Sequence, residues 1–373
     1  MSSDRQLRIG IIGAGEVFQV CHGPCLFNLS HLFKIQSICD LSPKTVAHNA
    51  TKYSIPHATT TPQEVIDNPD VDLIFILTSD ESHAPLAIAS LKAGKSVFIE
   101  KPVSLSLPSV QSIIDAEKNA PNNARVFVGY MRRYAPSYLQ AFKREVATIP
   151  KILYARVRDF SGPNLQFVSQ SGTFPVKHSD YPASAGKERE ERLGKLFAEA
   201  FPNQEITEEK KKYCRFLGSL GSHDISLMRE TLGFPESVVG VSANDPFYSA
   251  IFAYRNQDGS AYSVTYESGI DEVPVFDAHI TVYGAKKRVT IKYDSPYVKG
   301  LPIYVETEEL NEQGEIQRRT MLSSYEDAYT AELQELYDVV VNGKAIKTTV
   351  EDAKNDLQIY DMMYQSWNAG IQS

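Results

Sequence analysis

Cysteine, tryptophan and basic charge are all scarce in this 373-residue chain. The four cysteines, Cys21, Cys25, Cys39 and Cys214, are too few for a disulfide-stapled secreted framework. Cys21 and Cys25 have no second pair that would complete a zinc site, so a reduced, cytoplasmic setting without a metal is expected. Lys and Arg number 38 against 46 Asp and Glu, a net charge of −8 that argues against broad attraction to nucleic acid or an anionic membrane. No stretch reaches the roughly 20 apolar residues of a membrane span. The polar start, residues 1–7, lacks the basic-then-apolar pattern of a secretory leader. There is no internal repeat and no low-complexity tract, which leaves a small molecule as the expected partner.

With 42% hydrophobic residues, a chain of this length is expected to form two domains with sizeable cores. The first third alternates short β-branched runs with helical patterns, the rhythm of a doubly wound parallel sheet. Strands are predicted at 7–12, 34–39, 73–77, 96–99 and 125–128, with crossover helices at 81–93 and 106–119. Each helix carries a proline in its first turn, Pro85 and Pro108, and Ser106 caps the second. From about residue 155 the rhythm changes to longer strands joined by turns, at 237–243, 248–255, 260–267, 275–283, 288–293 and 303–308. Asp258-Gly259 is a hairpin signal. The second domain is therefore expected to be α+β, with a large, open, mostly antiparallel sheet. The expected boundaries are 1–130 for the dinucleotide domain and 131–345 for the second, including an irregular insert at about 161–217. The charged runs within that insert suggest solvated helical pieces. Amphipathic helices are predicted at 327–341 and 350–367, and 346–373 is expected to pack back on the first domain.

Strand 7–12 runs into Gly13-Ala14-Gly15-Glu16-Val17, and Asp40 closes the second strand. This is the pattern of a dinucleotide-binding βαβ unit. Gly13 permits the tight turn and Gly15 lets the backbone approach a diphosphate. Glu16 and Val17 open a helix whose N–H groups face the phosphates, and Asp40 can accept the ribose hydroxyls. Phe18 replaces the third glycine of the pattern. The charge of Asp40 favours NAD over a 2′-phosphate, while Ser42 and Lys44 leave NADP possible. A second constellation, Glu100-Lys101-Pro102, ends a buried strand at the carboxyl edge of the sheet, where ligands bind in open α/β folds. A lysine beside a positively charged nicotinamide has its ammonium disfavoured, which moves it towards proton transfer.

These pieces, with Leu77-Thr-Ser-Asp-Glu-Ser-His83, Val128-Gly-Tyr-Met131-Arg132-Arg133-Tyr134-Ala-Pro136, Ser219-Leu-Gly221-Ser-His223-Asp224 and Thr349-Val-Glu-Asp352, resemble the glucose-fructose oxidoreductase/inositol dehydrogenase (Gfo/Idh/MocA) family. The resemblance covers all but about 161–216. It implies a nicotinamide-dependent oxidoreductase moving a hydride between NAD(P) and a secondary alcohol or ketone of a sugar, polyol or inositol. Lys101 would sit beside the nicotinamide, with Thr78, His83 and Glu100 along the cofactor. His223 would relay the hydroxyl proton, and Arg132, with Tyr130 and Ser219, would meet the substrate between the domains. The departure is Ser219, where the family has Asp: a serine can hydrogen-bond but cannot stabilise an imidazolium by charge. Asp180 of the insert is the candidate substitute, and the insert is expected to shape the pocket. A dimer or tetramer is expected. The alternatives are a dihydrodiol dehydrogenase-like or ketone reductase activity on a hydrophobic cyclic substrate, or a non-catalytic NAD-binding regulator on the same fold.

Overall fold

The computed structural model describes residues 5–371. Residues 1–4, on which the reading of the chain's start partly rests, lie outside them. Two compact units emerge. The first takes the chain up to Tyr130 together with Ser171–Cys214 and Glu332–Leu357; the second takes Met131–Gln170, Arg215–Ala331 and the chain from Gln358 onward.

In the first unit, six parallel strands stand in the order β3-β2-β1-β4-β5-β6, with β1 at Leu7–Ile12, β2 at Phe33–Cys39, β3 at His57–Thr59, β4 at Leu73–Ile76, β5 at Ser96–Glu100 and β6 at Val126–Gly129. Their apolar runs are buried, as expected of a parallel sheet covered on both faces. The strand order reverses between β1 and β4, and the crevice at such a switch point is where ligands bind. Ser42 and Ser106 start the helices Pro43–Tyr53 and Leu107–Lys118 by accepting the backbone N–H groups of Thr45 and Ser109.

In the second unit, eight strands form one sheet in the order β14-β13-β12-β11-β7-β10-β9-β8. They are β7 Tyr154–Ser161, β8 Ser237–Asn244, β9 Phe247–Arg255, β10 Ala261–Ile270, β11 Phe276–Tyr283, β12 Lys287–Tyr293, β13 Tyr304–Leu310 and β14 Ile316–Met321. Every pairing is antiparallel except β7 with β10. Alternate residues of β9 and β10 are buried, the period of a sheet with one face covered. Gly259, at φ +83°, turns the hairpin between them.

Two boundaries differ from the sequence reading. The insert is helical at Asn164–Ser169, Ser184–Ala200 and Glu208–Phe216, and Ser171–Cys214 clusters with the first unit rather than the second. The terminal helix Val350–Ile371 divides at Leu357, its first turns belonging to the first unit and the rest to the second. Thr349 caps it by accepting the Asp352 N–H at 3.0 Å. No helix among the described residues is long and apolar enough to cross a membrane.

Candidate active site

The turn after β1 is built for close approach. Gly13 has φ +101°, and a Cβ there would lie 2.6 Å from the carbonyl carbon and oxygen of Leu77, so a side chain is excluded by both backbone and space. Nothing lies within 4 Å of the Cβ position of Gly15, which leaves the space over the turn open. Glu16 is exposed and Val17 half-buried at the head of a continuous helical run over 16–28, within which Phe18–His22 is a π-turn. Asp40 fixes the turn from the second strand: one carboxylate oxygen accepts the Ala14 N–H at 2.9 Å and the other the Ser42 N–H at 3.0 Å. Its remaining lone pairs are the acceptors a ribose diol requires.

Across the switch point, the Thr78 hydroxyl is buried and has no hydrogen-bond partner. A buried unsatisfied hydroxyl is costly, so a donor or acceptor supplied by a ligand fits this position. The open cradle over Gly15, the Asp40 carboxylate and this hydroxyl together fit a dinucleotide along the carboxyl edge of β1, β2 and β4. His83, expected along the cofactor, is enclosed. It is 1% exposed, and its Nδ1 and Nε2 lie 2.7 Å and 3.0 Å from the carbonyl oxygens of Pro102 and Thr78. It ties the end of β4 to the residue after Lys101, which makes it a positioning residue.

Lys101 is half-buried immediately after β5. Its backbone N–H donates to Glu100 Oε2 at 3.1 Å, and Glu100 Oε1 lies 2.7 Å from Nε2 of the fully buried His22. The His22 ring packs edge-on against Phe75 and Phe98, so an aromatic wall holds the imidazole that holds the acid. Glu332 lies nearby, with both carboxylate oxygens buried and unpartnered; burial, and then the charge of Glu100, pushes its carboxyl well up. His22 and Glu332 were not read from the sequence as parts of this arrangement. A histidine within the first helical run and a lone acid in an amphipathic helix give no signal of meeting.

In the second unit the segment Met131–Tyr134 is buried. Arg132 is 3% exposed and its guanidinium sits between Asp159 at 2.9 Å and Asp224 at 2.6 Å. The rings of Phe276 and Tyr293 flank it, at 5.7 Å and 5.3 Å from the ring centroids. Arg132, expected to meet substrate, is thus enclosed and ion-paired with two buried acids. Burial, followed by the repulsion of Asp159, raises the Asp224 carboxyl well above the usual range. Arg133 pairs with Glu230, and Tyr130, in the first unit, is 2% exposed.

His223 is half-buried, second in the helix Ser222–Leu232 and directly after a π-turn at Leu217–Gly221. Such turns recur at functional sites. Asp224, one helical step on, points inward to Arg132, as the rotation of about 100° per residue requires. Ser219 is exposed, and its carbonyl accepts the Ser222 hydroxyl at 3.0 Å. Asp180, expected as a partner for His223, instead bonds Ser42 and the Lys44 N–H in the first unit.

Such a dinucleotide-binding Rossmann unit, joined to a unit built on one large mixed sheet, is the make-up of a nicotinamide-linked oxidoreductase. Family profiles match both parts: "Oxidoreductase family, NAD-binding Rossmann fold" over residues 7–130 and "Oxidoreductase family, C-terminal alpha/beta domain" over residues 200–371. The chain belongs to the Gfo/Idh/MocA oxidoreductase family. A myo-inositol 2-dehydrogenase of Thermotoga maritima is 24% identical over 351 residues, 93% of this chain and 92% of that protein. Among solved structures, a levoglucosan dehydrogenase in complex with NADH and levoglucosan superposes with a TM-score of 0.73 at 16% identity, covering 98% of each chain. A 3-ketoreductase from Actinomadura kijaniata bound to TDP-benzene and NADP superposes at 0.72 with 14% identity, covering 97% of this chain and 98% of that one.

Proposed function

We propose that this protein is a dehydrogenase or reductase that exchanges a hydride between NAD(P) and a secondary alcohol or ketone of a sugar, polyol or inositol-like substrate. The reading is supported most by Lys101, which stands at the carboxyl end of β5 with its backbone anchored on Glu100, at the same sheet edge as the open turn Gly13–Gly15 and the unpartnered Thr78 hydroxyl. A bound nicotinamide would supply the acceptor or donor of the hydride. Lys101 polarises the reacting hydroxyl, and as an amine it takes up the hydroxyl proton. His223 is the second candidate for handling a proton, as the family resemblance implies. His22, Glu100 and His83 hold the Lys101–Pro102 segment. The relative and the structural neighbour are named for myo-inositol and for levoglucosan, which gives the substrate class its direction. The protein is further read as a cytoplasmic homo-oligomer, dimer or tetramer. Its four cysteines are all buried, and the second unit presents a broad sheet face.

The experiment is nicotinamide reduction by the purified protein across inositols, polyols, sugars and cyclic diols, with NAD and NADP in parallel. Turnover within one of these groups is expected. Tight nicotinamide binding with no turnover anywhere would replace this reading by that of a binding protein.

A further inference from the structure

The inserted residues 171–180 lie along the dinucleotide wall of the first unit, fastened at three places. Gln19, on the helical run behind Gly15, donates to the Val176 carbonyl at 3.0 Å and accepts the Val176 N–H at 2.8 Å. The same side-chain amide reaches the Ala14 carbonyl at 3.1 Å, so one residue joins the insert to the glycine turn. Lys52 Nζ donates to the Thr173 carbonyl at 2.7 Å. At the end of the segment, the Asp180 carboxylate accepts the Ser42 hydroxyl and, at 3.1 Å, the backbone N–H of Lys44.

These last two donors lie two and four residues beyond Asp40. In a βαβ unit the acid at the end of the second strand meets the ribose 2′-hydroxyl, and the residues just beyond it are those a 2′-phosphate encounters. The Ser42 hydroxyl, the Lys44 N–H and the Lys44 ammonium would suit a phosphate, yet the first two already serve a carboxylate brought from 136 to 138 residues away. We propose that Asp180 is a cofactor-selectivity residue: its carboxylate occupies the donors that would receive the 2′-phosphate of NADP and repels that phosphate, so the protein takes NAD. This rests on the dinucleotide reading of the first unit. The Ser42 hydroxyl and the Lys44 N–H hold the Asp180 carboxyl below the usual range, so the group is charged throughout the neutral range. The insert thereby contributes to cofactor choice from outside the βαβ unit.

Calorimetric titration of the full chain with NADH and with NADPH tests this. Wild type is expected to bind NADH at least about tenfold more tightly, the scale of one or two close like-charge contacts near a surface. In Asp180→Ala, and in Asp180→Asn, which keeps an acceptor for Ser42 but removes the charge, the ratio of NADPH to NADH dissociation constants is expected to fall at least about fivefold. Added salt should shrink the effect. Equal affinities in wild type, or a ratio that moves less than that in either variant while NADH still binds, would overturn the assignment. A wild type that bound neither nucleotide would overturn the dinucleotide reading itself, a distinguishable failure.

Discussion

Lys101 and Arg132 occupy equivalent places in the chain. Each is the first basic residue after a buried parallel strand, and those strands, β5 and β6, are neighbours in one sheet. Their surroundings are opposite. Lys101 is half-buried, with its backbone tied to an acid that a buried histidine holds. Arg132 is enclosed by two acids and two aromatic rings. The difference comes from partners distant in sequence: Asp159 from β7 and Asp224 from the helix after the π-turn converge on the guanidinium, and only the folded chain brings them together. The arginine is therefore ion-paired inside the second unit, while the lysine stands half-buried at the carboxyl edge of the first unit's sheet.

The sharpest way to break this comparison is to remove the brace. Arg132→Ala leaves Asp159 and Asp224 facing each other without a cation, and a loss of about 3–5 kcal/mol in unfolding free energy is expected. With the folded Asp224 carboxyl raised above its unfolded value near 4, the folded state holds the extra proton, so the variant's stability falls as pH rises through the raised value. Its Tm should recover as pH is lowered from about 8 towards 5. A variant of wild-type stability that had lost only substrate affinity would return Arg132 to the substrate site.

Asp40→Ala removes the acceptor that fixes the turn and that the proposed function assigns to the ribose. NADH affinity is expected to fall by about 1.5–3 kcal/mol, roughly ten- to hundredfold, with a smaller loss for NADPH. Equal losses in titrations with the two nucleotides would show that Asp40 acts on the turn alone. The smallest effect concerns Glu332. Its folded carboxyl is raised above the unfolded value, so wild type loses stability as pH rises between the two. Glu332→Gln should lie within about 1 kcal/mol of wild type near pH 4.5 and gain on it as pH rises. Parallel Tm profiles would show that the carboxyl does not titrate on unfolding.

The first unit was largely legible because its signals are local. Apolar strands, prolines in first turns and glycines at forced positions mark the Rossmann sheet to within one or two residues, apart from the three-residue edge strand β3. The backbone turn at Gly13 and the acid at Asp40 stand where their spacing required. In the second unit the hairpin β9–β10 and the strands β8, β11, β12 and β13 follow from period-two alternation, while β7 was not read as a strand. β14 did not, since its residues are almost all exposed at the sheet edge and carry no alternation. The polar contacts were the least legible part. The pairing of Glu100 with His22, the enclosure of Arg132 and the reach of Asp180 to Ser42 all join residues far apart in the chain, and no periodicity encodes them.

The most direct test of the contrast between the two basic residues is the turnover and NADH affinity of Lys101→Ala, measured on the substrate that the panel identifies. Turnover is expected to fall by about 10²–10⁴-fold, the scale of a lost general acid–base group, while the NADH dissociation constant stays within a few-fold of wild type. Near-normal turnover in that variant would contradict the assignment of the chemistry to Lys101.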